Sequence, residues 1–136
     1  MAAKQGYKLY FACIRIEGDR LDFDYIRRRL LVEPTDITRK GDRIARALPP
    51  VKKDYWIVRA PVNKTAKLET HLQKLQEIFK GKENALREIA TQYLTYIYCS
   101  YHTDRAMGDI PFPSDFIRWC GNTGIGIRLS VLVQSP

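Results

Sequence analysis

Hydrophobic and polar positions repeat along this chain with two periods, and the change from one to the other marks its elements. Over residues 7–16 the period is two: Tyr10, Ala12, Ile14 and Ile16 fall on one face, and Leu9, Phe11, Cys13 and Arg15 on the other. Both faces are mostly apolar near the middle, which predicts a central strand, closed by a turn at Glu17-Gly18-Asp19. After Asp22, the expected N-cap, the period lengthens, and Phe23, Ile26 and Leu30 define the inner side of a first helix. Arg27, Arg28 and Arg29 fill its last turns, where cations complement the helix dipole, although three consecutive arginines are also a nucleic-acid cue. Glu33-Pro34 ends this helix, because the residue before a proline is pushed out of the helical region. Residues 35–53 predict a long loop with a turn at Gly41-Asp42 and a stiff Pro49-Pro50. Residues 55–60 return to period two as a second strand, with Trp56 and Val58 on one face.

Leu68, Leu72, Leu75 and Phe79 then trace an amphipathic helix that Gly81 breaks, and Ala85, Leu86, Ile89 and Ala90 continue helically to about Gln92. A tyrosine-rich third strand follows over residues 94–102, with Tyr96, Tyr98 and Ser100 alternating against Ile97, Cys99 and Tyr101. Such a strand could offer rings to bases, but it lacks the basic-glycine-aromatic pattern of RNA-binding sheets, so a core or edge role is expected. Ser114 is the expected N-cap of a last helix with Phe116, Ile117 and Cys120 inward, ended by Gly121 and Gly124. A strand over residues 125–133 closes the chain: Ile125, Ile127, Leu129, Val131 and Val133 point one way, Gly126, Arg128 and Ser130 the other, partly to solvent.

The halves echo one another. Asp24-Tyr25-Ile26-Arg27-Arg28 matches Asp115-Phe116-Ile117-Arg118-Trp119, and each run follows a cysteine-bearing strand and precedes another strand. The pattern predicts one α+β domain over residues 1–136. Its expected core is a four-stranded, mainly antiparallel sheet with helices on one face, ferredoxin-like, a duplicated β-α-β with the helices of residues 68–92 inserted.

Charge changes the picture more than composition does. The formal net charge is +8, and residues 27–53 alone hold nine bases against three acids. Such a stretch favours an anionic partner, nucleic acid, nucleotide or acidic protein, although lysine and arginine also serve solubility. No apolar run is long enough to span a bilayer and residues 1–8 lack an apolar leader core, so a cytoplasmic location is expected. Cys13, Cys99 and Cys120 are scattered among apolar neighbours and read as buried small hydrophobes rather than disulfide partners. His71 and His102 are far apart, no metal-binding spacing occurs, and neither a metal nor a cofactor is expected.

Recognisable catalytic groupings are missing. None of the phosphate-loop, dinucleotide, nucleophile-elbow or zinc-protease patterns occurs, and Gly121-Asn122-Thr123-Gly124-Ile125-Gly126 leads from helix to strand, the reverse of a phosphate loop. His102-Thr103-Asp104-Arg105 is the densest set of candidate groups, but neighbours on a strand face opposite ways. No catalytic residue is assigned.

Leu30-Leu31-Val32-Glu33-Pro34-Thr35, then Arg39-Lys40-Gly41-Asp42, then Trp56, resembles the signature of a bacterial family catalogued as a domain of unknown function, DUF4279. His71-Leu72 matches the His-Leu that usually opens a later helix in that family. Val32 stands where the family commonly has glycine, and residues 127–133 lack its acidic-aromatic ending. The resemblance implies a fold and a bacterial or phage origin, and no activity. Two expectations follow. The first is a non-enzymatic binding module in which Arg39, Lys40, Arg43, Arg46, Lys52 and Lys53 meet an anionic partner and Trp56 anchors the loop base. The alternative is an immunity or anti-defence type of protein that binds and blocks another protein.

Overall fold

A computed structural model describes residues 7–105 and 108–134. The N-terminal stretch expected to lack a leader core lies, for residues 1–6, outside them. The elements run β1 (Lys8–Gly18), α1 (Phe23–Leu30), β2 (Asp36–Thr38), β3 (Asp54–Arg59), α2 (Leu68–Ile78), α3 (Glu83–Gln92), β4 (Leu94–Thr103), α4 (Ser114–Thr123) and β5 (Gly126–Val133). The strands form one five-stranded sheet in the order β2-β3-β1-β4-β5.

The α+β class holds, and the finer expectation does not. The sheet has five strands rather than four, and it is mixed: β1 pairs antiparallel with β3 and β4, whereas β4 and β5 run parallel. The ferredoxin-like outline fails because β2, only three residues long, lies inside what the sequence presents as a loop. Thr35 secures it: its N–H donates to the Ile57 carbonyl at 2.7 Å, and its hydroxyl accepts from the Arg59 N–H at 2.9 Å. Both segments therefore join β3 before the long loop begins.

One apolar core lies on one side of the sheet. Ala12, Ile14 and Ile16 of β1, Trp56 and Val58 of β3, and Ile97 and Cys99 of β4 meet Ile26 and Leu30 of α1, Leu72 and Leu75 of α2, Leu86 and Ile89 of α3, and Phe116 and Cys120 of α4. The alternation in β1 thus separates helix-facing positions from the positions of the opposite, uncovered face.

Helix boundaries follow local chemistry. The Asp22 carboxylate accepts from the Tyr25 N–H at 3.0 Å, as an N-cap should. α1 stops before Glu33-Pro34, at Leu31, which takes the left-handed conformation at φ +54°. Ser114 begins α4 rather than capping it, and Pro113 stands at the cap. Gly121 lies within that helix, which ends at Gly124, φ +72°. Ile117, expected inward, is 52% exposed; the buried side carries Phe116, Cys120 and Thr123. On β5 the alternation is kept but not the expected burial: Ile127, Leu129, Val131 and Val133 are all exposed, because β5 is an edge strand.

Candidate functional site

The uncovered sheet face is built from the odd positions of β1 and β3 and the even positions of β4 and β5. Each of β1, β3 and β5 contributes one arginine to it: Arg15, Arg59 and Arg128. The neighbouring strands contribute rings. Arg15 lies over Tyr98 at 4.1 Å from the ring centroid, Arg128 over Tyr96 at 4.1 Å, and Arg59 over Phe11 at 4.7 Å. Phe11 and Tyr98 meet edge to face with centroids 6.5 Å apart, which joins two of the stacks. A guanidinium laid on a ring keeps its charge while giving up little hydration, and its outer plane and N–H edges remain for a partner.

Glu17 is the negative counterweight. Its carboxylate is buried and lies 3.4 Å from Arg128 and 3.5 Å from Lys53. Burial, with the Glu17 carboxylate beside it, raises the Tyr96 phenol above its usual range. Asp36 forms a looser pair with Arg59 at 3.8 Å. With Lys52 and Lys53 beside them, the three arginines leave this face positive.

The six bases expected from the loop do not converge on one surface. Arg39 turns to the helix side and lies over the Phe23 ring at 4.6 Å. Its N–H donates to Asp42, and the Lys40 N–H donates to Asp54 at 2.7 Å. Asp54 also accepts from the Leu21 N–H at 3.0 Å, so one buried carboxylate ties the loop base to the turn after β1. Gly41, at φ +96°, makes the turn, and reciprocal backbone bonds from Gly41 to Val51 and from Val51 to Asp42 pinch the loop closed. Arg43 and Arg46 stand exposed on the segment beyond that pinch. Lys52 lines a hollow on the uncovered face with Arg15, Tyr55 and Ile57, beneath Pro49 and Pro50. Lys53 is held by Glu17. Trp56 is 1% exposed in the core, so it anchors β3 and cannot touch a partner.

The sequence alone does not mark Arg15, Arg59 and Arg128 as a group. The available signal was one arginine on the outward register of three separate strands, which becomes meaningful only once strand order places them side by side. Of the arginines of α1, Arg27 pairs with Glu33 just beyond the helix at 3.4 Å, and Arg29 ties α1 to α3 through Glu88.

Groups with reactive potential are otherwise engaged. Cys99 and Cys120 are buried, with thiols pushed up to about 12, and burial also raises Cys13, so none is a ready nucleophile. Asp104 accepts from the Tyr7 N–H at 3.1 Å. Among the described residues no group of three or more His, Cys, Asp or Glu is placed to hold a metal ion, and no helix is long and apolar enough to cross a membrane.

Comparison with curated proteins and with solved structures gives no match in either. The family comparison does: residues 7–134 match the model described as "Domain of unknown function (DUF4279)". The chain belongs to the DUF4279 family.

Proposed function

We propose that the protein is a non-enzymatic binding module that receives an anionic partner, with single-stranded nucleic acid as the best fit, on its uncovered sheet face. The observation that carries this reading is the row of three arginine-on-aromatic stacks on one face without helices. The outer guanidinium planes can stack against unpaired bases, while their N–H groups and the nearby Lys52 and Lys53 meet phosphates. In this reading the binding surface is centred on Arg15, Arg59 and Arg128, and the loop of residues 39–53 is its margin.

Fluorescence anisotropy with labelled single- and double-stranded DNA and RNA tests it at about 50 and 200 mM salt. Single strands should bind more tightly at low salt, and Arg15→Ala or Arg128→Ala should weaken binding more than Arg39→Ala. Absence of binding to every oligonucleotide at low salt removes nucleic acid from consideration.

A second reading, a protein that binds and blocks another protein, is favoured by one feature. β5 leaves Leu129, Val131, Leu132 and Val133 exposed along a sheet edge, and such edges suit strand addition by a partner chain. Affinity capture followed by identification of a stoichiometric protein partner, with capture lost on a charged substitution at Val131, would favour it over the first.

A further inference from the structure

Where β1 begins and β4 ends, the sheet meets the segment after β3 and the first turns of α2 around a cleft of about 580 Å³. That volume lies in the range of small-molecule sites. Leu9 of β1 and His102 of β4 are register partners at its wall, and Phe11 lies one step further in. Arg59 reaches it from β3, Lys64 from the following loop and His71 from α2. The chain's two histidines, remote in sequence, therefore line the same cavity.

His71 is the unusual member. It is 2% exposed, and its Nε2 is a buried nitrogen without a hydrogen-bond partner. Native proteins seldom leave such an atom unmatched. Burial holds the imidazole pKa below its ordinary value, against the backbone of Ala66 and Asn63, so the ring is uncharged at neutral pH and its Nε2 is left for a ligand to match. The cavity thus combines apolar walls, two cationic side chains and a buried imidazole nitrogen without a partner.

We propose that this cleft binds a small organic anion, a carboxylate or phosphate monoester with an apolar body and a hydrogen-bonding group. Arg59 and Lys64 meet the anionic group, Leu9 and Phe11 cover the apolar body, and His71 Nε2 pairs with the ligand's hydrogen-bonding group. The site goes beyond the sheet-face reading. Arg59 and Phe11 belong to both surfaces, whereas Arg15, Arg128 and Lys52 belong to the face alone.

The test follows the imidazole nitrogens by NMR, which is tractable because the chain has 2 histidines. Adenosine 5′-monophosphate, uridine 5′-monophosphate and 4-hydroxyphenylacetate are titrated separately into the full chain. At least one should saturably shift the His71 Nε2 resonance. Lys64→Glu, a substitution at an exposed position that leaves the core alone, should weaken that probe by about fivefold or more, and Arg128→Ala should leave it unchanged. Binding by the nucleotides alone, or by the carboxylate alone, supports the site and identifies which anion it takes. No shift of His71 with any of the three, or equal affinity in Lys64→Glu, overturns the proposal.

Discussion

Glu17→Gln should move stability and anion binding in opposite directions. The carboxylate is 7% exposed and lies 3.4 Å from Arg128 and 3.5 Å from Lys53. At an effective dielectric near 20, each contact is worth roughly 5 kcal/mol of gross attraction. Much of that is offset by desolvating the carboxylate, an effective penalty of several kcal/mol. Solvent screening reduces it further, since Lys53 and Arg128 are 46% and 53% exposed. Glutamine keeps the shape, and the two cations it releases can return to water, so no buried charge is orphaned. The expected net loss is about 1–2 kcal/mol, smaller than for orphaning a buried ion. Binding responds to the lost negative charge instead. A phosphate lying about 8 Å from Glu17 gains roughly 0.5–1 kcal/mol once the carboxylate is gone, about two- to fivefold in affinity. Urea denaturation followed by tryptophan fluorescence reads the first effect, and anisotropy with a labelled single strand at low salt reads the second. Unchanged stability would mean the ion pairs contribute nothing measurable. Weaker binding would refute the assignment of Glu17 as a charge that opposes the partner.

Three other outcomes are expected. Leu31→Gly should stabilise the fold by on the order of 0.5–1 kcal/mol, seen as a higher urea midpoint, since a left-handed backbone costs an ordinary residue more than glycine's added unfolded-state freedom; Leu31 is 76% exposed, so little packing is lost. Trp56→Ala should cost about 3–5 kcal/mol and remove the cooperative thermal transition or lower it sharply, because the indole is fully buried between sheet and helices. Burial holds the His71 imidazole below its ordinary range, so the unfolded chain takes up its proton first. Its contribution to stability is therefore present above pH 6.5 and is lost as pH falls through the folded-state value. His71→Gln should lose less stability than the wild type between pH 7.5 and pH 5.5 in paired denaturation curves.

Much of the scaffold is legible in the sequence because burial imposes periodicity. Leu68, Leu72 and Leu75 trace α2, and Ala12, Ile14 and Ile16 trace the inner face of β1, since each must meet the same core. β2 is illegible for a matching reason: Asp36, Ile37 and Thr38 are largely exposed, and their strand geometry comes from pairing with β3, a long-range contact. The burial of β5 is misread because alternation reports which way side chains point, while edge position decides what covers them. The candidate site hides in the same way. The loop bases form a visible cluster in sequence, yet Arg39 and Lys52 lie on different sides of the sheet. Arg15, Arg59 and Arg128 are scattered in sequence, and the order β3-β1-β4-β5 gathers them.

The duplication suggested by the two Asp-aromatic-Ile-Arg runs must be separated into a motif and a topology. As a motif it fails: Ile26 is fully buried while its counterpart Ile117 is 52% exposed, so the aligned runs present different faces to the core. As a topology it survives in altered form. β3 is antiparallel to both β1 and β2, so β1 and β2 run the same way, and α1 connects parallel strands as α4 connects β4 and β5. A helix returning over the sheet before the next parallel strand is a general solution to burying one face, and it requires no common ancestry of the halves. In the first half, β3 inserts between the parallel strands, and the long basic loop is its connection to β2. In the second, nothing inserts, β5 lies directly against β4, and its outer edge is left open. The asymmetry thus places the basic margin beside β3 and the apolar edge at β5, on opposite flanks of the arginine face.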